Sequence, residues 1–329
     1  MKRFLVVLIL GLVVLTGCSN TSSDEEVGGH LVMADAGWDS IRFHNAVVGY
    51  IAETAFNYTW EEVPGSTAIT YEALKNGEIQ IYTEVWTDSI APYYDDVDAG
   101  IIEEKGVNFE DNAQGLYVPR WVIEGDAERG LKALAPNLVK VADLANYADI
   151  FADPDDPTKG RIYGGPPGWN ISEILAKKVE YLGLDSTFNY FQPGSDTALA
   201  AVLADSYESG VPVVGYYWEP TWLLGKYDFV RLTDEPYNAD TYFDGIGDIP
   251  SVRVTVATSP NFADDHPEMD TFLQNYQTSS ALTSAALAYM QDTGADYTDT
   301  AKWFLSENQD LVELWLQSDA AQAVIDSLS

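Results

Sequence analysis

Apolar and polar positions fall into short blocks whose period switches between two and about three and a half along the chain. Leu31-Val32-Met33-Ala34 predicts a strand, and Asp39 or Ser40 is placed to cap a helix through Ile41, Val47, Val48 and Ile51. Tyr71 to Asn76 reads as a short helix closed by Gly77, and Ile79 to Val85 alternates as a strand does. Arg161 to Tyr163 predicts another strand, and the turn Gly164-Gly165-Pro166-Pro167-Gly168 follows it. Ile171, Ile174, Leu175, Val179 and Leu182 then mark one face of a helix over Asn170–Leu182. A helix over Ala198–Ser206 precedes a strand over Val211–Tyr217, and Ser251–Ala257 is one more strand. From His266 onward helices dominate, with Trp303, Phe304, Val312, Leu314 and Trp315 as expected core. Strands alternating with helices predict parallel sheets and the α/β class.

The start of the chain has a different pattern. Met1-Lys2-Arg3 precedes Phe4–Leu15, an unbroken apolar run too short for a good spanning helix, which needs roughly 20 residues. It fits the h-region of a secretory signal. The ending Leu15-Thr16-Gly17-Cys18 resembles the bacterial lipobox, in which the cysteine is lipidated and becomes the first mature residue. Residues 1–17 are therefore expected to be a lipoprotein signal peptide and 18–29 a flexible tether. The body would sit outside the cytoplasm, on the periplasmic side or outer cell surface, held to the membrane through Cys18.

Composition narrows the function. The 329 residues carry 17 Lys and Arg against 52 Asp and Glu, a net charge of −35. Such a surface excludes nucleic acid as the main partner, because phosphate binding needs clustered cations. With 46% hydrophobic and 12% aromatic residues the chain is not disordered. A single cysteine excludes a disulfide framework, and three histidines leave little for a metal site. Asp153-Pro154-Asp155-Asp156-Pro157 lacks the spacing of a calcium loop. No phosphate-binding glycine loop follows the first strand, and no Ser/His/Asp arrangement stands out. Catalytic residues, metals and cofactors are not expected, and energy for any transport would come from another subunit.

The informative feature is where the tryptophans fall. Trp38 follows the first predicted strand, Trp86 and Trp218 end two others, and Trp169 lies between a strand and a helix. Ligands of open α/β sheets bind beyond the carboxyl ends of strands. Singly, each tryptophan also reads as a core side chain; together they mark one spot. Converging indole faces suit a cation that has no hydrogen to donate, with quaternary ammonium the usual guest. Each desolvated face contributes about 2 kcal/mol. A micromolar complex needs about −8.2 kcal/mol. A carboxylate on the same guest would suit the helix N-terminus at Asn170 and Ile171.

These residues lie in recognisable company. Gly168-Trp169-Asn170, Tyr216-Tyr217-Trp218-Glu219-Pro220-Thr221-Trp222 and Glu84-Val85-Trp86-Thr87 resemble the glycine betaine-binding proteins of ABC transporters. So do Asn76-Gly77-Glu78-Ile79 and Gln114-Gly115-Leu116-Tyr117-Val118-Pro119. The resemblance runs from about Leu31 to the C-terminus. It implies a two-lobed type II periplasmic-binding-protein-like fold, with a hinge and the ligand in the interlobe cleft. Lobe I is expected over 30–119 plus 237–329 and lobe II over 120–236. The resemblance implies a box of Trp86, Trp169 and Trp218 around a trimethylammonium group, and a carboxylate against the backbone of Asn170 and Ile171. Its partners would be an ABC permease and ATPase, met by a monomer.

The chain also departs from the pattern. Some betaine binders have a histidine four residues beyond the tryptophan equivalent to Trp86; Ile90 stands there. Ala34-Asp35-Ala36-Gly37-Trp38 looks more like the choline-binding branch, where that tryptophan is a fourth wall. Choline, proline betaine, carnitine and trimethylamine oxide therefore remain alternatives to glycine betaine. Glu84 shares a strand face with Trp86, and Tyr117 and Tyr217 are candidates to line the cleft. Asp39, Asp88 and Glu219 could add negative potential, or are solvated rim charges. Trp222 reads as support behind Trp218, and Trp121, after a hinge-like Val118-Pro119, as interlobe packing. Rival readings from other classes are an extracytoplasmic carbohydrate-active enzyme, whose aromatic platforms would stack on sugars, and a sensory receptor subunit.

Overall fold

The computed structural model describes residues 28–329, so the expected signal segment, Cys18 and all but the end of the expected tether lie outside the described residues. The last two tether residues belong to the body. The Gly28 N–H donates to Asn57 O at 2.8 Å, and Gly29 opens the first strand.

Among the described residues, ten strands form two sheets of five. The chain first lays down β1 (Gly29–Asp35), β2 (Tyr58–Pro64), β3 (Ile81–Trp86) and β4 (Glu103–Phe109). The helices α1 (Asp39–Phe56), α2 (Thr67–Lys75) and α3 (Tyr93–Asp98) lie between them. It then crosses to a second sheet of β5 (Gln114–Pro119), β6 (Gly160–Tyr163), β7 (Phe188–Phe191), β8 (Gly215–Trp218) and β9 (Phe229–Arg231). There it adds α4 (Arg120–Glu124), α5 (Asn170–Tyr181), α6 (Asp196–Ser209) and α7 (Trp222–Lys226). It returns as β10 (Val254–Thr258), completing the first sheet in the order β2-β1-β3-β10-β4; the second runs β7-β6-β8-β5-β9.

Both sheets are mixed, not parallel as the strand–helix alternation predicts. β1 is parallel to β2 and β3, but β10 is antiparallel to β3 and β4. Likewise β6 is parallel to β7 and β8, whereas β5 is antiparallel to β8 and β9. The reversed strands are the two that the chain enters straight from the other sheet. With no helical crossover to return the chain, nothing forces a parallel approach.

Those crossings differ from the expected division at 119/120 and 236/237. Val118 and Pro119, hinge-like in sequence, pair with Val230 and Phe229 inside the second sheet. On the return, Lys177 donates to Phe243 O at 2.6 Å and Lys178 to Gly247 O at 2.5 Å, so the 242–247 region stays docked on α5. The two crossings touch each other. Asn112 Nδ2 donates to Val252 O at 2.5 Å, and the Val252 N–H returns a bond to Asn112 Oδ1 at 2.9 Å.

The C-terminal elements α8 (Phe262–Asp265), α9 (Pro267–Asn275), α10 (Ser280–Thr293), α11 (Tyr297–Glu307), α12 (Gln309–Trp315) and α13 (Ser318–Ser327) supply much of the core beside β1 and α1. Phe304, Val312 and Trp315 are buried there as expected. Trp303 is partly buried and stacks on Tyr289 at 4.2 Å, but Leu314 is exposed. No helix among the described residues is long and apolar enough to cross a membrane.

Candidate functional site

Each sheet sends two tryptophans to the same place by the same two routes. Trp86 and Trp218 are the last residues of β3 and β8. Trp38 and Trp169 are the N-cap residues of α1 and α5, both with extended backbone and neither with a side-chain cap. Asp39, expected as a cap, is instead the first helical residue. All four indoles line one cavity of about 550 Å³ between the lobes, within the usual range for small-molecule sites. Trp169 stands edge-on to Trp218 at 5.0 Å and to Trp38 at 6.2 Å between ring centroids. Trp38 and Trp218 are buried; Trp86 and Trp169 are half-buried.

The turn before Trp169 is built for close approach. Gly168 has φ +90°, a conformation that a Cβ would strain. At Gly165 a Cβ would come within 2.7 Å of Ser172 Oγ, which itself donates to Pro166 O at 2.8 Å. The turn is thus fastened to the first turn of α5, and Trp169 projects from its end. Asn170 and Ile171, the first residues of that helix, also line the cavity. Their backbone N–H groups belong to the four that a helix start leaves without intrahelical partners.

Glu84 does not line the cavity. It is fully buried behind the indoles, and its Oε1 accepts from Trp38 Nε1 at 2.9 Å, Trp86 Nε1 at 2.9 Å and Ser40 Oγ at 3.0 Å. Burial pushes its pKa up to about 7, against the hydrogen bonds, which favour the ionised form. Oε2 lies 3.9 Å from Nε2 of His44, whose pKa burial holds down at about 3.

Tyr117 and Tyr217 do not line the cavity either. In the β5–β8 ladder Tyr117 is opposite Gly215 and Tyr217 opposite Gly115, whereas Gln114 is opposite Trp218 and Leu116 opposite Tyr216. Opposed residues share a sheet face. Tyr216 therefore lies on the Trp218 face, lines the cavity, and stacks on Trp218 at 5.9 Å. The tyrosine O–H donates to Gln114 Oε1 at 2.9 Å, and Gln114 is a further lining residue.

Sequence reading also misses one wall made by Thr67, Ala68, Tyr71 and Glu72 of α2 with Ser89–Pro92, and Glu173 of α5 opposite. The period of α2 carried a signal, but nothing local tied that helix to the site. Among the described residues no Lys, Arg or His lines the cavity, and its carboxylates are Glu72 and Glu173. Asp39 is engaged elsewhere, accepting from Tyr297 O–H at 2.6 Å beside Arg42. Trp222 borders a small gap behind Trp38 and Trp218, on the side expected of a support.

Two α/β lobes around a ligand-sized aromatic cleft have the fold of type II periplasmic binding proteins. Over residues 29–307 the chain matches the family OpuAC, the substrate binding domain of ABC-type glycine betaine transport systems, and it belongs to that family. The family is one of binding proteins, not enzymes. Among solved structures, an ABC-transporter choline-binding protein in complex with choline is similar at TM-score 0.69 and 22% identity, over 92% of this chain and 99% of that one. The glycine betaine/L-proline-binding protein of Borrelia burgdorferi matches at 0.69 and 18%, over 90% and 99%. Lactococcal OpuAC, closed on glycine betaine, matches at 0.67 and 17%, over 88% and 100%. No curated protein matches the chain.

Proposed function

We propose that this chain captures glycine betaine or a related quaternary ammonium solute outside the cytoplasm and delivers it to the permease of an ABC importer. The observation that carries this reading is the convergence of Trp38, Trp86, Trp169 and Trp218, two from each lobe, on one cavity that no cationic side chain among the described residues lines. Indole faces attract a methylated ammonium by about 0.5–2 kcal/mol each, more when water is excluded. The carboxylate of a betaine would take the free amides at Asn170 and Ile171. Lobe closure over the solute, with the crossings near Asn112 and Val252 as hinge, would present the loaded form to the permease.

A second reading, choline, is favoured by Glu72 and Glu173 in the lining, where no cationic side chain among the described residues balances a ligand carboxylate. Calorimetric titration with glycine betaine, choline, proline betaine, carnitine and trimethylamine oxide, with a neutral sugar as control, tests both. At least one methylated amine binds and the sugar does not; Trp169→Ala weakens every binder by about tenfold or more, roughly 1.4 kcal/mol. Unchanged affinities in that variant would remove the cage.

Anchoring through a lipid on Cys18 rests on the lipobox-like Leu15–Cys18 alone, outside the described residues. Fatty-acid labelling in a bacterial host checks it: the full chain takes up label and Cys18→Ser does not. Equal labelling of the two would refute the anchor.

A further inference from the structure

Two helix N-termini, those of α1 and α5, open at the four indoles. Each carries partial positive charge, which opposes a cationic guest. Glu84 is the carboxylate placed to offset them. It is fully buried, and the ring nitrogens of two cage walls both donate to its Oε1. Among the described residues its partners are Trp38, Ser40, Trp86 and His44, and none is a Lys or Arg. The titratable groups around it are His44 of α1, at 3.9 Å; Tyr276 after α9, whose hydroxyl lies 2.8 Å from His44 Nδ1; and Tyr82 on its own strand. None supplies a positive charge at neutral pH: His44 is held neutral by burial and both tyrosine pKa values are raised. Among the described residues, neither Glu84 Oε2 nor His44 Nε2 has a hydrogen-bond partner. A fully buried carboxylate without a counter-charge is costly.

We infer that the ligand itself is the missing counter-charge: the bound ammonium group replaces a proton on Glu84, so that capture of the cation is coupled to proton release. The inference rests on the cation-cage reading above and adds to it a residue that touches the indoles, not the ligand. The indoles transmit the effect in two ways. Their N–H bonds to Glu84 fix the ring planes, and a carboxylate behind the rings makes their faces more negative.

The sign follows from linkage. Burial sets the Glu84 pKa of the empty site at about 7. A neighbouring cation lowers it, so the ionised form binds better. Affinity therefore rises with pH and levels off above that value. Between pH 8 and pH 6 the dissociation constant should grow about tenfold, and at pH 7 each ligand bound should release about half a proton.

Titration of choline and glycine betaine into the wild-type chain at pH 6, 7 and 8, in two buffers of different ionisation enthalpy, reads both quantities without any substitution. A flat affinity with no buffer-dependent heat, in a chain that binds these amines, would overturn the inference and leave the cage intact. A chain that bound no methylated amine at any pH would overturn both. Glu84→Gln keeps an acceptor for the indoles and should bind, with no slope, at every pH at least as weakly as the wild type does at pH 6. Asp196 supplies the control, because burial and then Asp39 raise its pKa to about 7 in the seam behind Trp38 and Trp218. Asp196→Asn should retain the tenfold slope; its loss there, or its survival in Glu84→Gln, would assign the proton elsewhere.

Discussion

Tyr216 and Tyr217 are adjacent, and both rings lie near Trp218, at 5.9 and 4.7 Å. Only the parity of β8 separates them. Tyr216 shares the cavity face with Trp218 and Gln114, whereas Tyr217 is fully buried on the other side. Truncating them should therefore have different consequences. Tyr216→Ala removes a stacked neighbour worth about 0.5–1.5 kcal/mol and should weaken ligand binding several-fold. Tyr217→Ala should act first on the fold, since truncating a buried aromatic residue costs about 3–5 kcal/mol. Calorimetry and thermal melts on the two variants check this, and an unaltered affinity in Tyr216→Ala would show the face assignment to be wrong. The sequence contained the rule that picks Tyr216, a period of two counted back from Trp218. Burial of Glu84 was less accessible: its same-face relation to Trp86 is visible, but only the fold brings Ser40 and Trp38 onto the same oxygen.

At the level of elements, the strands that the hydrophobic pattern reveals are those with neighbours on both sides. β1, β3, β6, β8 and β10 all lie inside their sheets. The four edge strands, β2, β4, β7 and β9, are the ones the pattern leaves out. In Tyr58–Pro64 and Glu103–Phe109 most positions stay partly or fully exposed, so no apolar run forms. Charged and polar residues at such edges also keep them from pairing with other chains. β5 is the exception: all six residues are buried, yet Gly115 and Pro119 make it look like a linker. Proline is tolerated at its end because the strand finishes there. Helix starts were legible to within a residue at α1 and α5, where the tryptophans sit, and off by four at α2, where Tyr71 is the first well-buried apolar residue after Thr67. The four indoles that line the cavity were thus readable from strand exits and helix starts, while the α2 wall depended on packing between distant segments.

For the whole molecule, charge is the dominant property. With 52 acidic and 17 basic residues, the surface repels itself when compact and attracts cations at a distance. Both effects act through solvent, and salt reduces both: the screening length falls from about 10 Å at 0.1 M to about 3 Å at 1 M. The proposed cage differs, because its cation would meet indole faces backed by the buried Glu84 and not the charges of the outer surface. Sodium chloride should therefore raise the melting temperature of the empty protein as repulsion is screened. It should also slow association of choline or glycine betaine while leaving dissociation nearly unchanged, because steering belongs to the encounter and the cage contacts to the complex. Stopped-flow measurement of indole fluorescence between 0.05 and 1 M salt, about a 20-fold range of ionic strength, separates the two rates. A dissociation rate that climbed with salt as steeply as association fell would place the controlling charges at the rim of the cleft, not behind its walls.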